Sequence, residues 1–275
     1  MNFIQSIIYG FLSGVTEFTP VSSYGHQVLL RKLFGVSANP MLNLMIRLGL
    51  LVAVYMSCRT ALSGYSRILS APKHRRRTRT VAANMNYTYD LRFLLPASVA
   101  MLAVLLFQSF CKKLEGNELL LCVFFAINGI VLYAVDHMPM GNKDSGRMSG
   151  LDAIYTGLMG GFSIFPGISR LGMCLCATVS RGADKSNAYN LVLVLSIPAL
   201  LLLALSDLIG VFTVAGISFG FVSLLAYLVA GICAFAGGYL VIMFMRFMMV
   251  NTGFSGYACY CWGVAILSFI LYLIA

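Results

Sequence analysis

Six stretches of the chain, near residues 41–58, 92–110, 119–135, 188–208, 217–240 and 255–275, are apolar runs of the length that crosses a hydrocarbon layer as a helix, about 17 to 25 residues. Backbone polar groups find no water in lipid, so only helices and closed barrels can span it. Runs of this length and continuity predict an all-α polytopic membrane protein. The composition agrees: 60% of the 275 residues are hydrophobic and 10% are charged, where a soluble domain carries about 25% charged side chains. Soluble and disordered classes are thereby excluded. Met1 to Gly10 shows no basic leading region and no small-residue cleavage site after an apolar core, so the first segment is expected to remain in the mature protein.

The formal net charge of +10 is unevenly placed. Seven of the nineteen Lys and Arg residues (Arg59, Arg67, Lys73, Arg75, Arg76, Arg77 and Arg79) and His74 fall between residues 59 and 79 without one acid. A basic segment between apolar spans is a positive-inside signal that also meets anionic lipid. Residues 59–90 are therefore expected to form a cytoplasmic loop, in contact with membrane lipids and not with nucleic acid. The eight cysteines sit mostly inside apolar runs at spacings that match no zinc or redox motif, and read as packing residues.

Two further apolar stretches, 3–35 and 151–181, are broken by Gly, Pro and Ser, and neither makes a continuous spanning helix. Lipid tolerates such a break only where protein or a water-filled cavity satisfies the freed backbone, which predicts two re-entrant helix pairs. The breaks resemble each other. Gly10, Gly14, Phe18, Pro20 and Ser23 align with Gly157, Gly161, Phe165, Pro166 and Ser169 once Thr19 is skipped. The same offset carries span 41–58 onto 188–205. Each half, 1–140 and 147–275, is then one re-entrant pair followed by three spans, within a single membrane domain of residues 1–275. An odd number of spans per half gives inverted-topology repeats, which bring broken helices and a polar site to the midplane. With the basic segment inside, both termini lie outside, and so do Arg31 and Lys32.

Among the nine acids only Glu17 and Asp207 fall inside apolar sequence, and an intramembrane carboxylate is functional by default. Glu17 has company: Ser22, Ser23 and His26 follow within ten residues, around Pro20. A hydroxyl, a base and an orienting group in reach of one another are what nucleophilic catalysis needs; helix capping at a kink would account for the serines alone. In the second break, Ser169 and Arg170 follow Pro166 and Gly167, with Gly172 two residues on. A guanidinium beside free backbone N–H groups at a helix start suits phosphate.

At these residues the sequence resembles the bacterial undecaprenyl-diphosphate phosphatases known as bacitracin-resistance proteins. Their first signature is similar to Ser13-Gly14-Val15-Thr16-Glu17-Phe18-Thr19-Pro20-Val21-Ser22-Ser23-Tyr24-Gly25-His26, and their second to Pro166-Gly167-Ile168-Ser169-Arg170-Leu171-Gly172-Met173-Cys174. The similarity continues through Leu48-Gly49 and Ser196-Ile197-Pro198-Ala199. The resemblance implies a multi-pass enzyme of the bacterial inner membrane. It would remove one phosphate from a polyprenyl diphosphate at a site facing outward, recycling the lipid carrier of peptidoglycan synthesis. It also implies roles: Ser23 as nucleophile, Glu17 and His26 as acid/base and orienting pair, Arg170 as diphosphate clamp, with Ser169, Ser22 and Gly172 around the substrate.

The departures bear on charge. Ser13 stands where the family has a glutamate, Asn43 where it often has an acid and Arg47 where it commonly has glutamine; Tyr24, Leu171 and Cys174 replace small hydroxyl residues. The family's divalent cation, magnesium or calcium, would have Glu17 as its ligand here, and Arg47 is expected to take over part of the charge neutralisation, with Glu17 or the diphosphate as its partner. A transporter or flippase of polyprenyl phosphate is the other function that inverted repeats suit. Isoprenoid length and oligomeric state, a homodimer included, stay open.

Overall fold

The computed structural model describes residues 2–70, 81–139, 141–213 and 220–274, and among these there are helices and connections but no strand. In order the helices are α1 (Phe3–Glu17), α2 (Ser23–Phe34), α3 (Pro40–Ser70), α4 (Val81–Leu105), the single turn α5 (Gln108–Cys111), α6 (Glu118–Asp136), α7 (Gly150–Gly161), α8 (Arg170–Ser180), α9 (Lys185–Thr213), α10 (Phe221–Asn251) and α11 (Ser255–Ile274). Several of their starts carry the caps that orphan N–H groups require. The Asn2 side chain and Gln5 close a capping box at α1, and Ser149 and Asp152 close one at α7. Ser169 caps α8. Gly35, at φ 62°, ends α2 in the left-handed conformation that glycine adopts without strain.

Among the described residues, five helices are long and apolar enough to cross a membrane: Pro40–Ser66, Glu118–Asp136, Lys185–Thr213, Phe221–Met249 and Ser255–Leu273. The expected span at 92–110 is different. α4 starts earlier and ends at Leu105, with Asp90 and Arg92 in its first half, so its uncharged apolar stretch after them is Phe93–Leu105. The expected loop 59–90 is mostly helix, because α3 continues through Arg59 and Arg67 to Ser70 and α4 begins at Val81. Lys73 to Arg79, the densest part of the basic segment, lie outside the described residues.

α3 and α9 run side by side in opposite directions: Arg47 of α3 meets Asp207 of α9, while Ser57 of α3 and Asn190 of α9 line one cavity further along. α1 packs along α10 and α10 along α3; α7 packs along α4 and α4 along α9. α6 pairs with α11. The closest approaches are made by glycines. A side chain at Gly10 would run into the Ala230 carbonyl of α10, and one at Gly157 into the Ala97 carbonyl of α4, the small-residue contact by which helices pack in lipid. All eight cysteines are free, with Cys58, Cys174, Cys176 and Cys261 buried, as packing residues should be. Arg31 and Lys32 are ion-paired with Glu115 and Glu118.

Candidate active site where two helix breaks meet

Between α1 and α2, residues 18–22 leave the helix, and their carbonyls must be satisfied by something other than the next turn. Each of three in succession is taken by a side chain from another element. Tyr189 Oη of α9 donates to the Phe18 carbonyl at 3.2 Å, Ser169 Oγ to the Thr19 carbonyl at 3.4 Å and Asn128 Nδ2 of α6 to the Pro20 carbonyl at 2.9 Å. Ser22 turns the chain at φ 70°, a conformation costly for a residue with a Cβ. Its Oγ accepts from Gly25 N at 3.2 Å and so caps α2.

The second break, residues 162–169, turns through Gly167 at φ 107°. Its end is held by the same asparagine: Ser169 N donates to Asn128 Oδ1 at 2.9 Å, and Ser169 Oγ accepts from Gly172 N at 3.0 Å. Asn128 is fully buried. One side chain therefore ties the two breaks together, its amide donating to one and its carbonyl accepting from the other.

This junction places the ends of three helices around one cavity of about 60 Å³. Glu17, the last residue of α1, Ser23, the first of α2, and Arg170, the first of α8, all line it, with Asn43 and Arg47 of α3 and Ser169. Arg170 is ion-paired with Glu17 through Nη2, while its Nε is buried without a hydrogen-bond partner. Ser23 Oγ accepts from Gln27 Nε2 at 3.2 Å and lies 3.5 Å from the Ser13 carbonyl. Ser13 is fully buried and its own Oγ has no partner. A larger chamber of about 580 Å³ adjoins. Tyr24, Gln27, Asn43 and Arg47 line both spaces, and the Arg31–Glu115 and Arg47–Asp207 pairs line the outer one.

Of the residues the sequence singles out, Glu17, Ser23, Arg47, Ser169 and Arg170 are thus brought together. Ser22 and Gly172 shape the junction through their capping bonds and do not line the cavity. His26 is not brought to Ser23. Three residues on, it points around the helix, where Nδ1 donates to the Ser22 carbonyl at 2.7 Å and Nε2 meets Tyr260 Oη at 2.8 Å. Its ring stacks on Tyr260 with its centroid 5.3 Å from that of Phe125, and it lines a separate apolar cavity of about 920 Å³. A carbonyl only accepts, so Nδ1 carries a proton; in the neutral imidazole Nε2 then accepts from the tyrosine, and the ring is satisfied at both ends. Arg47 is likewise corrected: its partner is Asp207, through Nε, and not Glu17. The two acids found inside apolar sequence are both neutralised by arginines from the other half of the chain, as burial of charge demands. Asn128, Gln27 and Tyr189 carry no charge and so do not stand out in apolar sequence; the signal the sequence offers is a lone asparagine in the run 119–135.

A family model described as bacitracin resistance protein BacA matches residues 6–267. The undecaprenyl-diphosphatase of Carboxydothermus hydrogenoformans is 30% identical over 270 residues, covering 97% of each chain. That of Methanobrevibacter smithii is 30% identical over 279 residues, covering 98% of this chain and 97% of the relative. Undecaprenyl-diphosphatase 4 of Bacillus thuringiensis subsp. konkukian is 28% identical over 268 residues, covering 97% and 96%. Matched across nearly its whole length, the chain belongs to the bacitracin resistance protein BacA family.

Proposed function

We propose that this protein is an undecaprenyl-diphosphate phosphatase, releasing inorganic phosphate from the lipid diphosphate and leaving the monophosphate. Relatives named for that activity match the chain from end to end. The observation that carries the site assignment is the Arg170 guanidinium, buried with its Nε unpartnered, beside the Ser23 hydroxyl in one cavity. An unsatisfied buried donor is costly, and a phosphate oxygen would satisfy it. In the reaction Arg170 transfers from Glu17 to the diphosphate, and the freed carboxylate becomes a base. Ser23 Oγ attacks the terminal phosphorus and its proton passes to Glu17. The bond from phosphorus to the bridging oxygen breaks, and the lipid monophosphate departs with that oxygen and with the proton held by Glu17. Water then attacks the phosphorus on Ser23, giving a proton to the Glu17 carboxylate, which passes it to Ser23 Oγ as phosphate leaves. Placing and neutralising charge supply most of the acceleration in such transfers.

The topology belongs to the same proposal: six spans and two re-entrant pairs in inverted repeats, in the bacterial inner membrane, with the cavity opening outward. Supporting it, α1 rests on α10 as α7 rests on α4, each broken helix on a long helix of the other half, and the aligned glycines Gly10 and Gly157 make equivalent contacts. Arg47 lies seven residues past Pro40, about 10 Å along the axis, on the side away from the basic segment. The decisive experiment is phosphate release from undecaprenyl diphosphate by the purified chain. Release by the wild type and loss in Ser23→Ala would support the reading; no release by the wild type would end it.

A further inference from the structure

The inner cavity is poor in ligands for a hard cation. Among the described residues Glu17 is the only carboxylate lining it, and Glu17 is already held by Arg170. One helical turn earlier, on the face that Glu17 shares, stands Ser13, whose neutral hydroxyl supplies no second carboxylate. Among the described residues no three His, Cys, Asp or Glu side chains come together as a metal cluster. The other lining groups, Ser23, Asn43 and Ser169 among them, are neutral, and the two guanidinium groups are each matched by one carboxylate, Asp207 for Arg47 and Glu17 for Arg170. No net negative charge remains to hold a divalent cation, whereas guanidinium N–H groups remain to meet an anion. The residues present do not fit the magnesium or calcium ion that the family resemblance implies.

Arg47 supplies what such an anion needs. An arginine carries five N–H donors. Here Nε is spent on Asp207, and among the described residues the Nη groups make no hydrogen bond with protein. The side chain lines both the inner cavity and the chamber outside it. Asp207 thus acts as a hand-hold that fixes the guanidinium plane while its terminal edge faces the space where a diphosphate would lie. Planar two-point donation to phosphate oxygens is what arginine does best.

Resting on the phosphatase reading, we infer that Arg47 is a substrate-binding residue, and that Arg47 and Arg170 together, in place of a divalent cation, neutralise the diphosphate. Asp207 is its positioning residue.

The test uses the full chain in detergent, stripped with EDTA, with two readouts: phosphate release from undecaprenyl diphosphate, and equilibrium binding of that lipid. Manganese binding by electron paramagnetic resonance is measured alongside. The key variant is Arg47→Gln with Asp207→Asn, since the single change would take the guanidinium away from a buried carboxylate; its fold is checked by monodispersity and melting. The wild type should keep its activity in EDTA and bind no stoichiometric manganese. The double variant should bind the lipid at least about tenfold more weakly, the loss expected for charge-assisted hydrogen bonds, with Arg47→Lys falling between. Activity lost in EDTA and restored by magnesium would overturn the inference, as would wild-type affinity in a folded double variant. Should the wild type release no phosphate under any condition, the phosphatase reading fails, and the binding arm alone still decides for or against Arg47.

Discussion

Replacing Asn128 by leucine tests whether the two helix breaks depend on one side chain. Leucine is close in volume, so the change leaves little cavity, and the effect is confined to hydrogen bonds. Two backbone groups lose their partner where the asparagine is fully buried: the Pro20 carbonyl, 2.9 Å from Nδ2, and the Ser169 N–H, 2.9 Å from Oδ1. An orphaned buried group costs about 1–3 kcal/mol, so the pair should lower stability by roughly 2–6 kcal/mol. The effect on turnover should be larger than stability alone explains, because Ser169 precedes Arg170, and misplacing a catalytic group by an ångström can cost about a hundredfold. Asn128→Asp should be comparably harmful: it keeps an acceptor for Ser169 N but sets a second acceptor against the Pro20 carbonyl. Unfolding of the purified chain in mixed micelles gives the first quantity and phosphate release the second. An Asn128→Leu protein that unfolds within about 0.5 kcal/mol of the wild type, the scatter of an ordinary surface change, and works at full rate would refute the reasoning.

Ser23→Ala should abolish phosphate release with little change in melting, whereas Ser22→Ala, which removes only the α2 cap, should cost about 1 kcal/mol of stability and retain turnover; the reverse pattern in the two assays would exchange their roles. His26→Ala should slow phosphate release by loosening the Ser22 carbonyl, yet leave the shape of the pH–rate profile unchanged, since its ring lies outside the cavity; loss of one limb of that profile would make it an acid or base after all. Gly10→Leu and Gly157→Leu should each destabilise the protein by several times the effect of Gly256→Leu, where a side chain meets open space, as read by melting in detergent. Cysteine labelling in intact cells should place residues 71–80 in the cytoplasm and both termini outside; termini on opposite sides would remove the inverted repeat.

Much of this was readable from the chain because lipid enforces blunt rules. Runs of apolar residues had to be helices, and Pro20 and Pro166 with their glycines had to interrupt them. Glu17 and Arg170 stood out as charges where charge is expensive. What the chain does not display is angular and long-range. His26 sits three residues from Ser23, but a helix starting at Ser23 turns it toward Tyr260, 234 residues away. Arg47 could be seen to need an anion; that Asp207 is the one depended on how α3 and α9 lie against each other. Asn128 hid because an amide is uncharged, although it is as exacting in its hydrogen bonds as any ion. The extent of α3 and α4 was misjudged for the opposite reason: arginine is a good helix former, so the residues that mark a cytoplasmic segment need not break the helix that carries them.

The seating of α1 on α10 has a consequence for how the protein is made. Some two hundred residues separate Glu17 from Phe221, so at ordinary translation speeds α1 waits about 10–40 s for the helix against which Gly10 and Gly14 close. During that interval the residues that will surround the cavity are already in the membrane, yet the face that sets their geometry is bare. A chain stopped between Arg170 and α10 would hold Ser23, Glu17, Arg47 and Arg170 and still lack a working site. Conversely, a fragment beginning after residue 147 but supplied together with the first half has both missing surfaces to offer, so the two halves, made as separate polypeptides, should find each other and restore activity that neither possesses alone.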